Sequence, residues 1–232
     1  MGKITVMTGG TSGIGRGIAE KILAESAKED RIFVTYGHDE KKAAVFRDSL
    51  PEEKKSQVIL MKADMSSYDE MMAFVEELKK RADHIDWLVS NAGISTYAKY
   101  EDYSFEEWTR IVNTNLSVPV FMVKELRSMM VEGGSVLFTG SYAGQQAYSS
   151  SLVYGVTKAA IHFLTRSLVK EFEPKGITVN AIAPGFIETP WHSARTQESY
   201  DRINRKIALH RFGTVKEDRK STRLNSSHDD IS

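Results

Sequence analysis

Three side chains in the second half of the chain have the types and spacing for proton transfer: Ser141, Tyr154 and Lys158. Tyr154 and Lys158 stand one helical turn apart and share a face if their segment is a helix. A phenol with an ordinary pKa of about 10 is a poor base near neutrality, but an ammonium within a few ångströms favours its ionised form. Lys158 would then make Tyr154 usable as an acid/base group. Ser141, at the end of a strand, could hydrogen-bond a reacting oxygen and polarise a carbonyl. Each residue also has a plainer reading: Tyr154 as a core aromatic, Lys158 as a solvated helix residue, Ser141 as a helix cap.

A second group could hold a phosphate. Thr8-Gly9-Gly10-Thr11-Ser12-Gly13-Ile14-Gly15 closes an apolar run and opens a helical one. Glycines there allow a tight turn and the close approach of a pyrophosphate to the helix N-terminus. A merely structural turn would have the same composition. Asp64, in Ala63-Asp64-Met65, could accept a hydrogen bond from an adenine amino group, or serve as N-cap of the next helix. Asn91-Ala92-Gly93 could line a cofactor cleft or be a plain turn.

The elements that must position these groups alternate along the chain. Short β-branched runs at Ile4 to Thr8, Ile32 to Tyr36 and Val58 to Ala63 are followed by segments of helical period at Ile14 to Ala27, Asp39 to Leu50 and Tyr68 to Ala82. The second half repeats the pattern: Trp87 to Ser90, a long helix from Phe105 to Met130, Val136 to Ser141, a helix from Ser151 to Phe172, and Ile177 to Ile182. Strands separated by helices of this length need crossovers, which predicts an α/β fold of Rossmann type, a doubly wound parallel sheet with helices on both faces. Ligands in such sheets sit beyond the carboxyl ends of the strands, where the strand order reverses. Pro119 should bend or interrupt the long fourth helix.

Composition narrows the function. The 31 basic residues balance the 31 acidic ones, so no global field attracts nucleic acid or an anionic membrane. With no Cys, thiolate nucleophiles and Cys-based metal sites are excluded. The six histidines, His38, His84, His162, His192, His210 and His228, show no ligand-like spacing, and no metal is expected. No apolar stretch approaches the length of a membrane span, and the N-terminus lacks the zones of a signal peptide, so a cytoplasmic location is expected.

Taken together, the motifs Thr8 to Gly15, Asn91-Ala92-Gly93, Asn115, Ser141, Tyr154 with Lys158, and Pro184-Gly185 resemble the short-chain dehydrogenases/reductases in order and spacing, over about residues 3 to 217. The resemblance implies a hydride transfer between a nicotinamide cofactor and a small carbonyl or alcohol substrate. Tyr154 would be the acid/base group and Ser141 would steady the substrate oxygen. Lys158 would hold the nicotinamide ribose and lower the Tyr154 pKa, and Asn115 would anchor a proton-relay water. Ile187 and Thr189 would meet the nicotinamide carboxamide and phosphate. The remaining cofactor-binding residues expected on this basis are Gly9, Thr11, Ser12, Gly13, Ile14, Gly15, Tyr36, Asp64, Met65, Asn91, Ala92, Gly93, Pro184 and Gly185.

Segments such as Gly176 to Thr189 and His210-Arg211-Phe212-Gly213 look most like 3-oxoacyl-acyl-carrier-protein reductases. Substrate choice should lie in Gln145 to Tyr148 and in Trp191 to Leu209. Where the family's NAD enzymes usually carry Asp at the end of the second strand, this chain has Tyr36, which predicts a preference for NADP(H) over NAD(H). The alternatives are a dinucleotide-binding protein without turnover, or an inactive truncated relative. The resemblance also implies a homodimer or homotetramer through the long helices. Residues 1–218 are expected to form one dinucleotide-binding domain. Residues 219–232, whose large apolar side chains are Leu224 and Ile231, read as a disordered, non-native tail that leaves the family's last strand missing.

Overall fold

A computed structural model describes residues 1–147 and 151–218 of the chain. The expectations for Tyr148 and for the tail at 219–232 lie outside the described residues. The first half runs β1 (Ile4–Met7), α1 (Gly13–Glu25), β2 (Arg31–Tyr36), α2 (Glu40–Asp48), the single turn α3 (Glu52–Lys55), β3 (Val58–Lys62) and α4 (Tyr68–Arg81). The second half continues with β4 (Ile85–Ser90), α5 (Phe105–Val112), α6 (Val118–Leu126), β5 (Met130–Thr139), α7 (Leu152–Phe172), β6 (Thr178–Ile182), α8 (Gln197–Asn204) and α9 (Val215–Asp218).

The six strands form one sheet in the order β3-β2-β1-β4-β5-β6, and every pairing is parallel. This is the Rossmann-type doubly wound arrangement. The order reverses between β1 and β4, so a ligand crevice is expected beyond Met7 and Ser90. Side chains alternate across the pleat. Ile4, Val6, Phe33, Leu88, Val136 and Phe138 face a core shared with α4, α6 and α7. Met7, Ile32, Val34, Val89 and Leu137 face the other core, under α1 and α2. Both faces are covered, which is why the strands read as continuous apolar runs rather than alternating ones.

Helix starts follow capping chemistry. Asp39, Ser67, Ser104 and Thr196 accept hydrogen bonds from the backbone N–H three residues on, at Lys42, Glu70, Glu107 and Ser199. At α4 the return half of the box is displaced: Glu70 accepts from the Asp64 N–H at 2.8 Å. Asp64 itself is therefore not the N-cap; its carboxylate accepts from Ser66 N–H in a turn ahead of the helix.

Two expectations are corrected. The helix expected from Phe105 to Met130 is three pieces, because α5 gives way to a π turn over Asn113–Ser117 before α6 begins. Pro119 follows directly: helical backbone runs on through Ser117 and Val118, Val118 N–H reaches the Asn113 carbonyl, and the ladder is interrupted where Pro119 has no N–H to give. Met130 already belongs to β5, which begins six residues ahead of the expected Val136. The glycines that suggest a break, Gly133 and Gly134, lie inside the strand; Gly133 takes φ +72 and the pairing with β4 shifts register between Ile85 and Trp87. Among the described residues, no helix is long and apolar enough to cross a membrane.

Candidate active site

The carboxyl ends of β1, β4 and β5 are tied together by one side chain. Asn91 donates through Nδ2 to the carbonyls of Thr8 (3.2 Å) and Gly9 (2.9 Å), and its Oδ1 accepts from the Thr139 hydroxyl at 3.1 Å. Thr8 returns the contact, its Oγ1 accepting from the N–H groups of Asn91 and Ala92, both at 3.0 Å. This bracket fixes the glycine turn that opens α1. Gly9 there holds φ +64, and at Gly15 a Cβ would stand 2.2 Å from the Gly9 carbonyl and 2.4 Å from Asn91 Nδ2. Only glycine fits at both points.

On α7, Tyr154 and Lys158 face the same cavity, of about 340 Å³, that the glycine turn lines. Lys158 is 4% exposed, and its ammonium donates to the Thr139 carbonyl at 2.6 Å. Burial pushes it down to about 8. Its Nζ stands 5.5 Å from the centre of the Tyr154 ring. The expectation that Lys158 makes the phenol more acidic is not met in this geometry. Burial raises the Tyr154 pKa, and the opposing contribution is a hydrogen bond from Ser141. Tyr154 is therefore protonated at neutral pH, the form that can give a proton to an oxygen.

Ser141 lies two residues past the end of β5, not in the strand, and it caps the turn that follows. Its Oγ caps a short 3-10 turn over Tyr142–Gly144 by accepting from Ala143 N–H at 3.1 Å, while its hydroxyl reaches Tyr154. Its own backbone N–H donates to His162 Nε2 at 3.3 Å. Burial, then the Lys158 and Arg166 charges, hold the His162 pKa below its ordinary value, which keeps that nitrogen an acceptor near neutrality. Asn115 lies in the π turn, a feature often found at functional sites. Its amide donates to the Ile94 carbonyl (2.9 Å) and Thr157 hydroxyl (3.1 Å) and accepts from Ile94 N–H (2.9 Å), clamping the loop after β4 to α7.

The cavity's outer wall is a flap after β6. It is held by parallel bridging of Ile187 with Gly213, in which Glu188 N–H reaches the Gly213 carbonyl at 2.7 Å. Phe186, His192, Tyr200 and Phe212 pack as its own aromatic core, with Tyr200 stacked on Phe212 at 4.7 Å. Trp191 stands 5.8 Å from the Tyr154 ring. Burial, and second the Arg195 guanidinium, push His192 down to about 4, so its neutral Nδ1 accepts from Arg195 Nε at 3.0 Å.

Of the residues singled out in the sequence, Gly9, Ser12, Gly13, Ile14, Gly15, Asn91, Ala92, Gly93, Ser141, Tyr154, Lys158, Pro184, Gly185, Ile187 and Thr189 all line this cavity. Five do not. Asn115 lies buried behind it, Thr11 is buried in the turn, and Met65 is buried in the sheet core. Tyr36 ends β2, and Asp64 follows β3 with its carboxylate 3.6 Å from His38. Sequence reasoning missed Thr139, His162 and the wall formed by Ser95, Thr96 and Tyr97, and it reached His192 and Arg195 only as part of the segment Trp191 to Leu209, with no role for either. His162 had a signal, being one further turn beyond Lys158 on α7. Among the described residues no group of His, Asp and Glu is placed to hold a metal.

A family model described as short chain dehydrogenase matches residues 3–199. The chain is 33% identical over 230 residues to a 3-oxoacyl-acyl-carrier-protein reductase of Haemophilus influenzae, an alignment that covers 98% of this chain and 92% of that protein. It is also 33% identical over 190 residues to a 3beta-hydroxysteroid dehydrogenase of Mediterraneibacter gnavus, covering 81% and 67% of the two chains. Among solved structures it is similar to a blue fluorescent protein from a metagenomic library in complex with NADPH, with a TM-score of 0.83 at 25% identity over 93% of this chain and 87% of that one. Both the family match and the nearly full-length alignment reach across the glycine turn, the Asn91 bracket and the Tyr154 helix, so the chain belongs to the short chain dehydrogenase family and is an NAD(P)-dependent oxidoreductase.

Proposed function

We propose that the chain interconverts a small-molecule carbonyl compound and its alcohol with NADP(H) as the hydride partner. The observation that carries this reading is that Tyr154, Ser141 and Lys158 open into the same cavity as the glycine turn. Gly93 keeps the wall beside these groups open: a Cβ there would project to 3.6 Å from Lys158 Nζ and 3.3 Å from Asn115 Oδ1. Gly9 to Gly15, with the N-terminus of α1, would take the pyrophosphate, Asn91 to Gly93 and Lys158 the nicotinamide ribose, and Ile187 and Thr189 the carboxamide end. When bound, the nicotinamide supplies or accepts the hydride.

The chain's own residues handle the proton. Protonated Tyr154 donates its phenolic hydrogen to the substrate oxygen, while Ser141 donates a second hydrogen bond to the same oxygen and stabilises the charge that develops there. His162 fixes Ser141 through its backbone, and Asn115 fixes α7 against the loop after β4. Within this class, 3-oxoacyl thioesters are one series to assay, because the Haemophilus relative is a 3-oxoacyl-acyl-carrier-protein reductase.

A preference for NADP(H) follows from the end of β2. Tyr36 puts no carboxylate there, and Gly37 opens onto free space with nothing within 4 Å of its Cβ position. Arg16, the basic residue on α1 nearest this end, is held by Glu20 at 2.7 Å and by Ser49 at 3.0 Å. Steady-state assays with a carbonyl panel should give a kcat/KM at least about tenfold higher with NADPH than with NADH, and Tyr36→Asp should reverse the order. Higher kcat/KM with NADH in the wild type refutes the preference. Cofactor binding by calorimetry without turnover of any carbonyl would leave a dinucleotide-binding protein instead.

The assembly we propose is a homodimer or homotetramer in the cytoplasm, built from one domain over residues 1–218. Leu152, Val156 and Phe163 on α7 are exposed, as is Phe105 on α5 at 78%. The three α7 residues fall on one side of the helix, a patch that a second copy would cover. Light scattering after size exclusion should return a multiple of the 26.1 kDa chain mass, and Phe163→Lys should return the monomer. A monomeric wild type at micromolar concentration removes this proposal.

A further inference from the structure

We propose that Arg195 binds a carboxylate of the substrate, which makes the physiological substrate an oxo acid or the corresponding hydroxy acid with a free acid group. This inference rests on the carbonyl/alcohol reading of the site and names its substrate class. Arg195 lines the same cavity as Tyr154, on the flap whose Trp191 stands against the Tyr154 ring. Its guanidinium stands near two aromatic rings, 5.5 Å from the centre of Tyr97 and 5.5 Å from that of Phe186. Nε donates to His192 Nδ1 at 3.0 Å, and Nη1 donates to Ser199 Oγ at 3.2 Å. Both acceptors are neutral, and His192 stays neutral because burial and Arg195 hold its pKa at about 4.

The charge at this point is not compensated by the protein. Among the described residues no Asp or Glu lines the cavity and no carboxylate is within ion-pair distance of Arg195. On the flap, Glu188 meets the Tyr200 hydroxyl instead, at 3.4 Å, and Asp201 accepts from Gln197 Nε2 at 2.9 Å. A partly buried cation without a counter-ion is costly, and a bound anion offsets that cost. The geometry also selects the kind of anion. A guanidinium carries five N–H donors in one plane, of which two are engaged here, and the remaining donors suit a bidentate carboxylate. The other anion that enters this cavity is a cofactor phosphate, but the glycine turn and Thr189, whose Cβ lies 3.5 Å from the Cβ position of Gly13, form that end of the site. Arg195 is stacked instead on Tyr97, in the loop beyond Gly93.

The test uses the full chain with NADPH and a series of aliphatic and aromatic oxo acids, each paired with its methyl ester. Wild type should favour the best acid over its ester by about thirtyfold in kcat/KM, expressed mainly in KM. Arg195→Met should erase that preference while turnover of the esters stays within about threefold, and Arg195→Lys should restore part of it. The NADPH Kd should not change in either variant. Equal use of acids and esters by the wild type overturns the proposal. So does an equal loss on both in Arg195→Met, which would make Arg195 only a latch between the flap and Tyr97, and so does a weakened NADPH Kd, which would assign Arg195 to a cofactor phosphate. Calorimetric titration of the oxo acids into the protein with NADP+ separates this proposal from the enzymatic reading. If no carbonyl is reduced, acid binding that is lost in Arg195→Met still supports the carboxylate site, and no binding of any acid to the wild type overturns it.

Discussion

Tyr154→Phe is expected to lower kcat/KM for carbonyl reduction by about a thousandfold while leaving the NADPH Kd within about twofold of wild type. The variant removes one oxygen and keeps the ring, so the contact with Trp191 at 5.8 Å survives and the cavity keeps its shape. What is lost is the hydrogen that must reach the substrate oxygen as the hydride arrives at carbon. A second group cannot take over: Ser141 has an ordinary hydroxyl, and the Lys158 ammonium is directed at the Thr139 carbonyl. Stopped-flow or steady-state reading of the nicotinamide absorbance gives the rate, and fluorescence titration gives the affinity. Retention of more than about a tenth of the wild-type rate would remove Tyr154 from the role of acid.

The pH dependence of the same reaction follows from the direction of the Tyr154 shift. Burial raises the phenol pKa above 10 and the Ser141 hydrogen bond only partly opposes it. Reduction needs the protonated phenol, so its rate should be level through neutrality and fall on the alkaline side. Oxidation needs the phenolate and should rise over that range. A reduction rate that falls already between pH 5 and pH 7, below the range in which Lys158 releases its proton at about 8, would mean that another group donates the proton.

The difference between what was legible and what was not lies in the range of the interactions. Gly9 to Gly15, Asn91 and the Tyr154–Lys158 pair sit at strand-to-loop or helix positions where local periodicity places them, and the structure brings them around one cavity. Their partners were less visible. That Asn91 braces three strand ends depends on which strands are neighbours, a fact of sheet order rather than of local sequence. Met65 occupies a position expected to meet the cofactor, yet its side chain is 5% exposed and belongs to the sheet core, so only its backbone is left for a ligand. The irregularity at Asn113–Ser117 was legible through Pro119, whose missing N–H falls directly after the wide turn; that the turn would be a π turn was not. His192 and Arg195 are positioned by the Ile187–Gly213 bridge and by Phe212, contacts between segments far apart in sequence and carrying no shared motif.

Replacing Lys158 by Met should separate function from stability in opposite directions. The rate should fall by about a hundredfold and the NADPH Kd rise by about tenfold, because the variant removes a donor toward the nicotinamide ribose and with it the hold that aligns the cofactor beside Tyr154. The folded protein should nevertheless become more stable. Holding the Lys158 pKa at about 8 rather than 10.5 means that the native state disfavours the charged form, a cost of about 3 kcal/mol at neutral pH. Methionine fills a similar volume without that cost, but it leaves the Thr139 carbonyl without the hydrogen bond it accepts at 2.6 Å, which takes back about 1 to 2 kcal/mol. The net gain is about 1 to 2 kcal/mol, or a few degrees in Tm for a chain of this size. The sign of the pH dependence checks the cause. Below pH 8 both native and unfolded wild type hold the proton and the penalty is constant; between about pH 8 and 10.5 the native state has released it and the unfolded state has not, so wild-type stability gains on the variant as pH rises. Urea denaturation at pH 7 and pH 9.5 should therefore show the advantage of Lys158→Met shrinking at the higher pH. A variant less stable than wild type at pH 7, or an advantage that does not change with pH, would show that the ammonium is compensated in the native state and that Lys158 is held there without strain on the fold.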